Sequence, residues 1–311
     1  MKISGKTQAY IIIIIAVFTW SFAEIIVKLI GTGVGALSLS FFRFFIGGLF
    51  LLSLLIIKKD LTGIIKMIKN NWILFLISSC FALGISNIIY FVGINNTQAN
   101  IGATIYTSYP IWISIYSIFI LNERLNLKLK FMGIFIGLIG VMILLTNLNF
   151  LDILSVENLI GNLLVLTGSI IWGLYSVLGK KIQLKEQETT NHDLKFTLVS
   201  LFFASLPIFL ILVFTPEFNT FLIYDFNSWY LILFLGIIST GLGIYLFFIG
   251  LKHIEVSKGI SLAFLKPIFA TVLAFFLLIE LPTISLFISI PLVIISIILI
   301  NKTPKSNSTD N

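Results

Sequence analysis

A single cysteine, Cys80, and two histidines, His192 and His253, are all the thiol and imidazole chemistry that these 311 residues contain. One cysteine excludes a disulfide framework and a thiolate metal cluster, and neither histidine has a second at metal-ligand spacing. Charge is scarce as well, at 11% of residues against 58% hydrophobic. Within the apolar runs there is no histidine, no aspartate pair, no serine with a histidine and no phosphate-cradling Gly-Lys loop, so nucleophilic or metal-dependent catalysis lacks its parts. No cofactor is called for. The net charge of +7 is spread in small groups between apolar segments. It forms no dense stripe, and nucleic acid is not expected as a partner.

What the chain has is apolar length. A mean hydropathy of +1.10 exceeds what a soluble core of this size hides, which predicts an all-α integral membrane protein in contact with lipid. Spanning the hydrocarbon takes about 20 helical residues. Ten windows qualify, at 9–30, 36–57, 72–93, 98–120, 129–147, 160–180, 194–214, 229–250, 256–278 and 283–300. Lys2 and Lys6 precede the first run, which lacks an Ala-x-Ala pattern and continues through Glu24 and Lys28, so it reads as an uncleaved span. Seventeen of the 20 Lys and Arg fall in segments that would share the N-terminal side, and only Lys28, Arg43 and Lys266 lie inside spans. That bias predicts a multi-pass plasma membrane protein with both termini cytoplasmic. The polar residues 302–311 read as a disordered cytoplasmic tail.

The stretch Gly93 to Glu123 returns without a gap as Gly250 to Glu280. Gly93, Gly102, Pro110, Ile111, Phe119, Leu121 and Glu123 meet Gly250, Gly259, Pro267, Ile268, Phe276, Leu278 and Glu280. The matches fall on backbone-special residues and on the carboxylate closing each run, so two homologous halves are expected, 1–147 and 148–301. Trp20 with Lys28 and Trp172 with Lys180 echo the same pairing. Five spans per half is odd, so the second half is predicted to be inverted, with a site near the bilayer centre between the repeats.

These segments resemble the drug/metabolite transporter superfamily, in particular its ten-helix EamA-like members. The resemblance rests on YPIWISIYSIFILNERLN and LKPIFATVLAFFLLIELPT, on TWSFAEIIVK and SIIWGLYSVLGKK, and on FFRFFIGG. It implies an alternating-access carrier of small organic metabolites, with export by analogy. Members of that family more often carry glutamate before the second proline. Lys266 stands there in this chain, which turns the expectation toward an anionic or zwitterionic substrate such as an amino acid.

By helical rise, Trp20, Trp172, Tyr109 and Lys266 each lie about 15–18 Å into their spans. Tyr109 and Lys266 are equivalent, each just before a proline, where a helix loses a backbone bond and bends. Lys266 is expected to anchor a carboxylate or phosphate, because a lysine at this depth is costly unless it faces a watery cavity. The bland alternative pairs it with Glu24. Trp20, Glu24 and Lys28 share a helix face, and Glu24 either binds an amine, shuttles a coupling proton or neutralises Lys28. Arg43, about 10 Å into its span, either guides anions through the outer vestibule or reaches the headgroups. Asn87 with Tyr90, and Tyr109 with Trp112 and Tyr116, offer hydrogen bonds and aromatic walls. Gly133, Gly137 and Gly140 form a packing face, with a homodimer seam as the alternative. Glu123 and Glu280 are expected to pair locally or hold the next helix. A channel, a lipid-handling protein and a membrane-embedded enzyme are the rival readings.

Overall fold

The computed structural model describes residues 4–31, 33–97, 99–148 and 159–302, and only the backbone of Glu24, Ala99 and Asn100. The tail from 303, most of the connection between the halves and the Glu24 side chain therefore lie outside the described residues. Within them the chain is helical, with no strand. In order come α1 (Gly5–Ile30), α2 (Ala36–Ile57), α3 (Ile64–Ile94), α4 (Ala99–Tyr106), α5 (Tyr109–Ile120), α6 (Leu127–Thr146), α7 (Leu159–Lys185), α8 (His192–Leu212), α9 (Phe226–Gly250), α10 (Val256–Leu278) and α11 (Ile284–Asn301). Among the described residues, nine of these are long and apolar enough to cross a membrane.

The span predicted at 98–120 is divided. The backbone turns at Thr107 and Ser108, and Pro110 lies in the first turn of α5. Proline brings no N–H and its ring crowds the preceding turn, so the helix stops and restarts. At the equivalent place in α10 the helix tightens to a 3₁₀ turn, Leu262–Phe264, before Pro267. A second shared irregularity is a π-helical stretch, Leu76–Ile85 in α3 and Leu235–Leu242 in α9. Such wide turns re-aim side chains. In α3 the helix also kinks at Asn71, close to the predicted start of the span.

The main core is built by α1, α2, α3, α7, α8 and α9 with the starts of α5 and α10. A smaller core joins α6 to α11 and to Phe264 and Ile268 of α10. Lipid supplies no hydrophobic drive between helices, so close backbone approach matters more. Gly47 of α2 meets Gly241 of α9, where an added Cβ would come within 3.1 Å of the facing backbone. The Gly133, Gly137 and Gly140 face packs on Ser289, Leu292, Ser296 and Ile300 of α11. The packing reading of that face holds, and the seam is filled from within the chain.

Polar contacts tie the ends. Lys195 donates to Asp60 at 2.7 Å, Asn191 to the same carboxylate at 2.7 Å, and Asn71 to Glu186 at 2.7 Å. The segments around 58–71, which carries four lysines, and 183–193 thus meet at one end of the bundle. At the other, Glu217 accepts from the Ser38 backbone at 3.0 Å and hydroxyl at 3.1 Å, capping α2.

Candidate functional site

The breaks and π turns converge on a polar, aromatic region inside the bundle. The Tyr90 ring of α3 lies 4.4 Å from that of Tyr106 at the end of α4. Tyr106 is 5.9 Å from Tyr109, which opens α5, and 6.4 Å from Trp172 of α7. Tyr109 and Trp172 close the set edge to face at 4.7 Å. Beside the wall, Ser40 of α2 donates to the amide oxygen of Asn87 at 3.1 Å, both buried. One turn along α2, Arg43 donates through Nε to the Thr240 hydroxyl of α9 at 3.2 Å. Its guanidinium carbon lies 5.3 Å from the centre of the Phe44 ring.

Tyr90, Tyr109 and Trp172 are therefore brought together as one wall, with Asn87 one turn from Tyr90 and Arg43 one turn from the Ser40 that donates to Asn87. Trp20 is elsewhere. Its ring packs on Phe247 at 5.1 Å and against Gly243, both on α9. Next to it, Ser21 donates to the backbone oxygen of Lys266 at 3.1 Å, which fastens α1 to α10 just before Pro267. The Lys266 side chain is half-buried. Lys28 pairs with Glu280, and the side chain of Glu24, the partner its helix face offers, lies outside the described residues. Trp112 and Tyr116 have other partners, Trp112 donating to the Ser108 hydroxyl one turn back at 3.3 Å and Tyr116 to the Ile170 carbonyl of α7 at 3.2 Å.

Sequence reasoning missed Tyr106 and Thr240. Tyr106 precedes Tyr109 by three residues, so the stride that grouped Tyr109, Trp112 and Tyr116 reaches it one turn back. Thr240 lacks any such signal, because the π turn that brings it to Arg43 is invisible in the residue pattern.

Among the described residues, no three His, Cys, Asp or Glu converge as a metal site. A polytopic helical bundle with a charged and aromatic interior and helices broken at equivalent places has the architecture of a membrane transport protein. The chain belongs to the EamA-like transporter family, whose model matches residues 7–146 and again 159–302. It is 25% identical over 307 residues to an uncharacterized transporter of Clostridium kluyveri, covering 96% of this chain and 95% of that one. It is 27% identical over 228 residues to the uncharacterized transporter YyaM of Bacillus subtilis, covering 71% of each. A solved crystal structure shares the fold with a TM-score of 0.77 at 20% identity, over 95% of this chain and 96% of that one. The protein is a multi-pass membrane transporter and not an enzyme.

Proposed function

We propose that the protein is an alternating-access carrier that exports a small organic metabolite with an acidic group, an amino acid or a related anionic or zwitterionic compound. The observation that carries this reading is the junction of Arg43 with Thr240 beside the Tyr90, Tyr106, Tyr109 and Trp172 rings. A guanidinium takes a carboxylate or phosphate in a planar fork, and rings give an amphipathic wall for the rest of the molecule. Lys266, half-buried and one residue before the Pro267 break, is the second anchor, Asn87 joins the wall beside Tyr90, and Trp20, apart from the wall, belongs to the Lys266 side, where its neighbour Ser21 holds the Lys266 backbone.

The architecture that supports transport is ten crossings in two inverted halves, 1–147 and 148–301. The helices α4 and α5 together form the fourth crossing, in two pieces. Both termini are cytoplasmic in the plasma membrane, on the side of the lysine-rich loops. In such repeats broken helices at equivalent places surround the site, and rocking of one half on the other exposes it to each side in turn.

The test is counterflow in proteoliposomes preloaded with each of a panel of amino acids, organic acids and sugar phosphates. Saturable uptake stimulated by internal substrate is expected for an acidic or zwitterionic compound, lowered about 10-fold or more by Arg43→Gln, since a hydrogen bond to a charged group is lost. Linear uptake without counterflow in the unaltered protein would overturn the carrier reading. Coupling is assigned to Glu24: an imposed pH gradient speeds uptake and Glu24→Gln abolishes the acceleration. An uptake indifferent to the gradient makes the protein an exchanger or facilitator.

A further inference from the structure

The repeated carboxylates Glu123 and Glu280 occupy one position in the two halves, yet they hold different things. Glu123 reaches across to the start of α10, where it accepts from the Val256 backbone at 2.8 Å and from the Ser257 backbone and hydroxyl at 3.3 and 3.1 Å. A carboxylate on the first N–H groups of a helix makes charge-assisted bonds and meets the positive end of the macrodipole. Around it, Lys130 pairs with Glu255 at 2.9 Å with side-chain exposures of 0% and 16%. Lys130 also donates to the Glu123 carbonyl at 3.3 Å. Glu280 pairs with Lys28 of α1, with side-chain exposures of 60% and 44% for the lysine and the glutamate.

Each partner has a counterpart. Lys28 follows Trp20 by eight residues as Lys180 follows Trp172, and Val256 follows Gly250 by six as Ala99 follows Gly93. Lys180 is buried, donates to the Leu251 carbonyl and lies within electrostatic reach of Glu123. Each glutamate thus has two candidate partners in the opposite half, a lysine and a helix start. Packing differs in the same sense. In α5, Tyr109, Pro110, Ile113, Ser114 and Ser117 are buried, whereas α10 from Leu265 to Leu278 buries only Ile268.

We propose that Glu123 and Glu280 are exchanging latches, the structure being the state shut at the lysine-rich end. Glu123 caps α10 there while Glu280 is parked on Lys28. In the opposite state Glu280 caps the backbone at the start of α4 and Glu123 moves to Lys180. This rests on the carrier reading, since it supplies the contacts that alternate as that carrier rocks. Equivalent substitutions must then have opposite effects.

The reporter is Ile260→Cys in a Cys80→Ser background, because Ile260 is 0% exposed behind the Glu123 cap. Its rate of reaction with a water-soluble maleimide reads the opening of the lysine-rich end. Glu123→Gln is expected to raise the rate about 10-fold, the factor for weakening one charge-assisted hydrogen bond. Lys28→Gln, at a pair exposed on both sides, raises it too by freeing Glu280. Glu280→Gln lowers it. A rate that Glu123→Gln and Lys28→Gln leave unchanged, or that both glutamate variants move in one direction, overturns the latch. Should Glu123→Gln fail to fold, Lys28→Gln and Glu280→Gln still carry opposite signs. Counterflow with the amino-acid panel in the same vesicles separates the two readings. Opposite labelling shifts without counterflow keep the latch and remove the carrier, and counterflow without opposite shifts removes the latch alone.

Discussion

Arg43 and Lys266 are both cations inside apolar helices, and their surroundings predict different sensitivities. Arg43 is oriented by a hydrogen bond from Nε to Thr240, so geometry matters as much as charge. Arg43→Lys keeps the charge but loses the fork, and KM in counterflow is expected to rise about 10-fold. Thr240→Val, which removes the acceptor while keeping the shape, should raise KM in the same direction by a smaller factor. The Lys266 backbone oxygen accepts from Ser21, next to the Pro267 break. Lys266→Ala should raise KM for an anionic substrate. Unchanged kinetics would take Lys266 out of the site and leave the carrier reading standing.

At the scale of elements, two contacts can be tested without a substrate. The loop between α2 and α3 is tied to α8 through Asp60, whose carboxyl the Lys195, Asn191 and Thr190 hydrogen bonds hold below the usual carboxylate range. A group with a depressed folded pKa adds stability above its unfolded value, about 3.9, and loses it as pH falls through the folded one. The Tm advantage over Asp60→Asn should persist from about pH 8 to about pH 5 and fade only in stronger acid, as thermal scans across pH would read. In the outer pair, a Cβ on Gly137 would stand 2.4 Å from the Ser296 hydroxyl and 2.7 Å from the Phe264 ring. Gly137→Val forces α6 from α11 and should cost about 1–3 kcal/mol, seen as a lower Tm and yield. The glycine spacing made this face legible from sequence. So did the apolar windows, whose limits at 256–278 coincide with α10. Pro110 and Pro267 marked where helices would yield, but not that α4 and α5 would part while α10 stays joined. That difference depends on which neighbours take up the freed backbone groups, and these come from distant parts of the chain. The Trp20, Glu24 and Lys28 stripe was silent on Glu280 for a related reason. A shared helix face shows which residues can meet, whereas Lys28 found Glu280 through the fold of the other half.

For the whole molecule, the distribution of lysine and the contacts between loops bear on the same quantity, the sidedness of each end. Lysine and arginine resist transfer across the bilayer, so short loops rich in them stay on the cytoplasmic side. The segment after α2, with Lys58, Lys59, Lys66 and Lys69, is expected on that side, and the Asp60 bonds to Lys195 and Asn191 hold the segment before α8 against it. They belong to different halves, one following the second helix of its repeat and the other preceding it. Two loops at those positions share a side only when one half is turned over relative to the other. Single cysteines in the Cys80→Ser background at Lys59 and Glu188 should therefore resist an impermeant maleimide added outside intact cells, and react once the membrane is opened. Cysteines at Phe218 and Ile223, 40% and 79% exposed in the connection between α8 and α9, should react from outside. If 59 and 188 label from opposite sides, the inverted arrangement fails and takes the paired latches with it. If both label from outside while 218 and 223 are protected, the inversion stands and the protein sits in the membrane the other way up.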